Sequence, residues 1–166
     1  MQLPQLTRWQ RPTQPQGHSI GESFLSGLAG AAALTLVHET ARRLVSDAPR
    51  MDRIGRRVIA RSMEGMGIEP PHRDTLQGMA LAGDLVSNTL FYSLVGAGRR
   101  MPLARGAVLG AAAGLGALVV PQLLGLGRRA QGATNATKAM TFSWYLLGGL
   151  AAAATLMCLD TWKEEH

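Results

Sequence analysis

The sequence contains little cysteine, few aromatic residues and few charged residues. Its 166 residues include one cysteine, Cys158, and only 5% aromatic side chains. A single cysteine excludes a disulfide within the chain and any zinc site built from several thiolates. Charged residues make up 17% of the chain, whereas a typical soluble domain has about 25%. This scarcity of charge argues against an ordinary soluble domain.

What the sequence does have is polarity arranged in blocks. Nearly uncharged stretches alternate with polar segments at 1–19, 46–74 and 128–138. A helix of about 20 apolar residues is long enough to cross the hydrocarbon core of a bilayer. The block pattern excludes disorder and collagen, and it predicts an all-α, polytopic membrane protein.

Four transmembrane helices are predicted within a single membrane domain, residues 19–162. The first helix has a capping box at its start, in which Ser19 and Glu22 can each accept a hydrogen bond from the other's backbone N–H. Asp74 and Gln77 have the same spacing at the start of the second helix. The four helices are expected at about 20–45, 75–95, 103–127 and 139–159.

The ends of the chain are expected to contribute little regular structure. Residues 1–18 are rich in Gln and Pro and have no apolar run, so we expect an extended or disordered arm rather than a signal peptide. Residues 163–166 form a short polar tail.

A basic amphipathic helix is expected at about 48–66, between the first two membrane helices. Its apolar side chains lie on one side of a helical wheel and its arginines on the other. This pattern is typical of a helix that lies in the membrane plane, although a soluble helix packed on a neighbour has the same pattern. The arginines expected to face anionic lipid headgroups are Arg50, Arg53, Arg57 and Arg61.

The distribution of basic residues predicts the orientation in the membrane. The net charge is +6, and Lys138 and Lys163 are the only lysines among 17 basic residues. Eight basic residues follow the first helix and three follow the third, against six on the other side. The positive-inside rule therefore places both long connections in the cytoplasm and both termini outside. The abundance of Arg, Ala and Gly suggests a bacterial source, and hence a bacterial inner membrane. The positive charge is clustered between apolar segments, which favours anionic lipid over nucleic acid as the partner.

Small residues repeat at four-residue spacing on three of the predicted helices. In lipid, such faces allow two helix backbones to approach closely. They can serve to pack one chain into a tight bundle, or to bind a second copy or a larger membrane complex, and the pattern alone does not decide between these. The residues are Gly27 and Ala31 on the first helix, Gly106, Gly110 and Gly114 on the third, and Gly148 and Ala152 on the fourth.

An intramembrane polar cluster is the strongest candidate for a functional site. Gln77, Asp84 and Asn88 share one face of the second helix, and Thr35 and His38 lie on the small-residue face of the first. A carboxylate at membrane depth is costly and faces protein or water. Asp84 is thus a candidate proton or cation site, or else a structural group. In both cases we expect it to hydrogen-bond a polar group from another helix.

The segment from His38 to Arg42 differs from the zinc motif H-E-x-x-H at its last position. Arginine is cationic and cannot bind the metal, so a zinc protease is excluded and no metal site or cofactor is predicted. Glu39 is expected to pair with Arg43, one turn farther along the helix.

Three functions are compatible with these features, and the sequence favours the first, with the other two as alternatives. The first is a non-catalytic accessory or assembly subunit that packs through its glycine faces against itself or a larger complex. The second is a small transporter, coupled to protons or cations, that uses Asp84. The third is a membrane enzyme or cofactor-binding protein that uses His38. The sequence favours a chain that is not an enzyme.

Overall fold

The chain is all-helical over the residues described by the computed structural model, which are 17–45, 51–98, 100–125 and 134–165. The prediction of an all-α chain is thereby confirmed. Most of the predicted N-terminal arm and Arg50 lie outside the described residues. The five helices are α1 (Ile20–Leu44), α2 (Met51–Gly65), α3 (Arg73–Ser93), α4 (Pro102–Leu123) and α5 (Asn135–Glu165), and a 3₁₀ turn (Leu94–Ala97) follows α3.

Three of the helices, α1, α4 and α5, are long and apolar enough to cross a membrane. These correspond to the first, third and fourth of the predicted membrane helices. The second corresponds to α3, which has 21 residues but does not belong to this group. Helix α3 is more polar than α1, α4 and α5, because it contains several charged and amide side chains, among them Arg73, Asp74, Asp84 and Asn88.

Only one of the two predicted helix caps forms. At the start of α1, the side chain of Ser19 accepts from the N–H of Glu22, and the Glu22 carboxylate accepts from the N–H of Ser19 at 2.8 Å. The prediction for α3 is wrong, because that helix begins at Arg73 and its N-cap, His72, makes no side-chain hydrogen bond. The side chain of Gln77 bonds to α2 instead.

Helix α5 is longer at both ends than the predicted 139–159. Its last turns contact residues at the start of α1, since His18 Nε2 lies 2.9 Å from Asp160 Oδ2. Lys163 forms an ion pair with Glu22 in the first turn of α1. These contacts keep residues beyond the apolar segment helical, where the sequence predicted a tail.

The bundle is organised around α1 and α5. Helix α1 packs against both α3 and α5, α4 packs against α5, and α2 packs against α3. Tyr92 links α3 to α5. Its side chain is buried, and its hydroxyl donates a 2.7 Å hydrogen bond to the Tyr145 carbonyl oxygen of α5. The buried apolar core consists of Leu34, Tyr92, Val95, Tyr145, Ala152, Ala153 and Leu156.

The small-residue faces are buried between helices of the same chain. A Cβ added to Gly110 of α4 would lie 2.8 Å from the Leu146 Cα of α5, and Gly106 and Gly114 also face α5. In α1, Gly27 faces α3. Such contacts require glycine, because any side chain would push the two backbones apart. Gly148 faces Tyr92 of α3, and Ala31 and Ala152 are fully buried.

Candidate functional site

A cavity of about 230 Å³ lies between α1, α2, α3 and α5. Both polar and apolar side chains line it, and we call it the polar cavity because of its ionisable groups. It is large enough for several water molecules or a small polar ligand, since one water occupies roughly 30 Å³ in the liquid. Four side chains of α1 line one wall, and α2, α3 and α5 supply the others. The lining residues are Thr35, His38, Glu39, Arg42, Ile54, Gly55, Ala80, Leu81, Asp84 and Tyr145.

The helical repeat of α1 directs several polar side chains to this cavity. Thr35, His38 and Arg42 are three and four residues apart and therefore lie on one helix face. Arg42 donates a 2.7 Å hydrogen bond to Glu39. The expected partner, Arg43, is not the one in contact, because Arg42 lies one residue closer and on the cavity side. An ion pair thus forms part of the cavity wall.

Aromatic rings of α5 hold the imidazole of His38. Its ring centre lies 5.1 Å from that of Trp144 and 5.8 Å from that of Tyr145, both in edge-to-face geometry. Edge-to-face packing is a favourable arrangement for aromatic rings. The position of His38 is therefore fixed by packing between helices rather than by a hydrogen bond to a carboxylate.

Two polar atoms beside the cavity are buried without a hydrogen-bond partner among the described residues. They are Nε2 of His38 and Oγ1 of Thr35. Buried polar atoms in proteins are nearly always hydrogen-bonded to protein or to ordered water. Both residues line the cavity, so these two unsatisfied atoms belong to its wall.

Asp84 lies on the wall formed by α3. It is partly buried, and its Oδ1 accepts a 3.0 Å hydrogen bond from Nδ2 of Asn88, which is 8% exposed. This partner is on the same helix, one turn farther along, rather than on another helix as expected. The amide of Asn88 thus fixes the orientation of the carboxyl group.

Three of the five residues predicted as a polar cluster meet at the cavity. Thr35, His38 and Asp84 line it, and Asn88 joins them through its hydrogen bond to Asp84. Gln77 does not, because its Oε1 accepts a hydrogen bond from Arg56 of α2. Its side chain is therefore used to bind α2 to α3.

Sequence reasoning missed the contributions of α2 and α5 to this site. Gly55 of α2 allows a close approach to α3, where an added Cβ would lie 3.1 Å from the Ala80 Cβ. Tyr145 lies on the buried face of α5, eight residues after Thr137 and four after Thr141. That repeat was visible in the sequence and could have indicated Tyr145.

The predicted basic residues are only partly brought together. Arg53 and Arg57 line a groove between α2 and the start of α3, whereas Arg61 is exposed elsewhere on α2. Arg56 and Arg73, which were not in the predicted set, complete the groove.

Among the residues that the structure describes, no group of three or more His, Cys, Asp or Glu side chains could hold a metal ion. Cys158 is exposed. The polar cavity and the groove lined by Arg53, Arg56, Arg57 and Arg73 are two places in the described part of the chain that offer several polar groups to a ligand. No family model, no curated protein and no solved structure matches the chain.

Proposed function

We propose that the chain is a small membrane transporter or exchanger that binds a proton or small cation at Asp84 in the polar cavity. The observation that carries the proposal is that Asp84, His38 and Thr35 line one cavity between helices. An ionisable group at membrane depth typically marks an ion pathway or a proton relay.

The proposal includes α3 as a fourth membrane-spanning helix. Its 21 residues extend about 31 Å at 1.5 Å per residue, close to the thickness of a hydrocarbon core. Its polar residues Asn88 and Thr89 are buried in the bundle, whereas Met79, Val86 and Leu90 are exposed. This arrangement suits a helix that turns its apolar side to lipid and its polar side to protein.

The proposed orientation places α2 along the cytoplasmic surface of a bacterial inner membrane and both termini outside. It rests on the excess of basic residues in the connections after α1 and α4. Arg53 and Arg57 of α2 would then lie at the level of the lipid headgroups. Ile54 of the same helix is buried and would anchor α2 to the bundle.

The chemistry of the cavity favours a cation over an anion at Asp84. A carboxylate attracts a proton or a metal or ammonium cation, and the hydrogen bond from Asn88 leaves acceptor positions on it for such a ligand. The unpartnered atoms of Thr35 and His38 can bind the same ligand or its water. Arg42 is paired with Glu39, which offsets its positive charge in the wall.

Proteoliposomes provide the test. Wild-type protein should dissipate an imposed pH gradient, or take up Na⁺, K⁺ or ammonium, and Asp84→Asn should reduce the rate at least tenfold while the protein remains folded. Asp74→Asn is the matched control, since Asp74 is an exposed carboxylate in the first turn of the same helix. Unchanged flux in Asp84→Asn, or no flux of any of these ions in the wild type, would overturn the proposal.

The accessory-subunit hypothesis stays a prediction. The glycine faces of α1, α4 and α5 contact helices of the same chain, so a partner protein would have to bind to a different surface. The exposed apolar side chains of α4, which include Val108, Leu115 and Val119, offer one such surface. A subunit of this kind would co-purify with a larger complex in mild detergent.

The hypothesis of an enzyme or cofactor protein depends on His38. Among the described histidines, His18 lies beside Asp160 and His72 precedes α3, so neither lines the cavity with His38. A cofactor held by two imidazoles would need the second from another chain. The absorption spectrum of the purified protein would reveal haem.

A further inference from the structure

We propose that the groove between α2 and the start of α3 binds the phosphate group of an anion, and its position favours a membrane lipid as the source. The groove has a volume of about 490 Å³. This inference rests on the membrane placement proposed above but not on the role of Asp84. The proposal concerns one defined site rather than the whole basic face of α2. This site, the basic groove, is lined by Arg53, Arg56, Arg57, Ala60, Arg73 and Leu76.

Two helices supply the four guanidinium groups of the basic groove. Arg53, Arg56 and Arg57 are three and four residues apart on α2, so they lie on one helix face. Arg73 is the first residue of α3 and faces them from the other wall. The convergence of two elements on one point distinguishes this groove from a basic helix that is merely solvated.

The charge and shape of the groove suit a phosphate group. None of the described residues that line it is acidic. A guanidinium presents its N–H groups as a planar fork that binds two phosphate oxygens at once. The remaining lining residues, Ala60 and Leu76, are apolar and can contact the glycerol and first acyl carbons of a lipid.

The two walls of the groove are held in place by contacts between α2 and α3. Arg56 donates a hydrogen bond to the side chain of Gln77. Ile54 is buried, and Gly55 lies against Ala80 of α3. Because these contacts fix α2 on α3 before any ligand arrives, less ordering is needed on binding, which favours affinity.

The groove lies at the depth where lipid phosphates are expected. It surrounds the first turn of α3, where a helix proposed to cross the membrane begins. The side chain of the N-cap residue His72 does not bond to the backbone N–H groups of this turn, which also carries the carboxylate of Asp74 outside the groove lining. Helix N-termini favour negative charge.

Native mass spectrometry of the full-length protein in mild detergent tests the inference. Phosphatidylglycerol should bind at least tenfold more tightly than phosphatidylcholine. The groove variant Arg53→Gln/Arg57→Gln/Arg73→Gln should lose at least nine-tenths of this preference. The control variant Arg43→Gln/Arg61→Gln/Lys138→Gln removes the same charge from residues outside the groove and should keep the preference.

Inorganic phosphate and pyrophosphate, added as competitors, distinguish the two sources. Failure to displace phosphatidylglycerol supports a lipid site, whereas displacement at millimolar concentration supports a site for a free phosphate anion. Equal loss of preference in the groove and control variants would overturn the inference, because the effect would then follow net charge.

If the triple groove variant fails to fold, a single substitution still tests the inference. Arg73→Gln alone changes one exposed side chain and should still weaken phosphatidylglycerol binding severalfold, and unchanged binding in this variant counts against the inference. Asp84→Asn should bind the lipid as the wild type does. Failure of the transport proposal therefore leaves the lipid result unaffected, and the reverse also holds.

Discussion

The two halves of the bundle are packed differently. Between α4 and α5, glycines bring the backbones into contact, as at Gly110 and Leu146. Between α1, α2 and α3, polar side chains border a cavity that contains Asp84 and His38. The first half is packed closely along three turns of α4, whereas the second combines one close backbone contact, at Gly27, with a cavity that exposes polar groups. A chain of this size can thus separate a closely packed region from a cavity.

The largest effect is expected from disturbing the closely packed region. In Gly110→Val, the added side chain would meet the Leu146 Cα at 2.8 Å and the Tyr145 carbonyl oxygen at 2.9 Å. Since backbone cannot move aside cheaply, the free energy of unfolding should fall by about 1–3 kcal/mol. SDS titration of the purified protein in mixed micelles measures this.

The control lies on the same helix. A Cβ at Gly116 would have no atom within 4 Å, so Gly116→Val should change the unfolding free energy far less. An equal loss of unfolding free energy in the two variants would mean that replacing any glycine of α4 destabilises the protein. The close packing of α4 on α5 would then not explain the effect at Gly110.

A smaller effect is expected at the junction of the two halves. Tyr92→Phe removes the hydroxyl that donates to the Tyr145 carbonyl oxygen and leaves that oxygen buried. The loss of unfolding free energy should be about 1 kcal/mol, measured by the same titration. Ser87→Ala is the comparison, because Ser87 is exposed and its hydroxyl bonds only within its own helix. A Ser87→Ala variant as unstable as Tyr92→Phe would argue against the importance of this junction.

The smallest effect is expected in the polar half. Replacing an interior helical glycine by alanine stabilises a helix by up to about 1 kcal/mol. Gly78→Ala, with nothing within 4 Å, should show this gain. In Gly55→Ala the Cβ would lie 3.1 Å from the Ala80 Cβ, so the gain should be smaller by about 0.5 kcal/mol. A larger gain at Gly55 would show that α2 is not held closely on α3.

The features that could be predicted from the sequence are those set by nearby residues. The capping box of Ser19 and Glu22 forms because both partners belong to one helical turn. Apolar length identified α1, α4 and α5 in the same way. The four-residue spacing of Gly106, Gly110 and Gly114 indicated a close contact, but periodicity gives a face and not the helix that will cover it.

The features that could not be predicted depend on contacts between distant residues. Gln77 bonds to Arg56 rather than joining Asp84 because α2 packs over the start of α3. The extension of α5 depends on Lys163 meeting Glu22, which lies far away in the sequence. The cavity itself is a space between four helices, and no single helix carries a signal for it.

The contact between the first turn of α1 and the last turns of α5 has a consequence for biogenesis. Helices α1 and α3, and likewise α4 and α5, are closer to each other in the sequence than α1 is to α5, so these pairs can associate earlier in synthesis. The pairing of Glu22 with Lys163, however, requires α5, which leaves the ribosome after the other helices. Until then, α1 lacks one of the two long helices against which it packs in the finished bundle. Of the helices that the structure describes, α1 is therefore the first to be synthesised and among the last to complete its contacts.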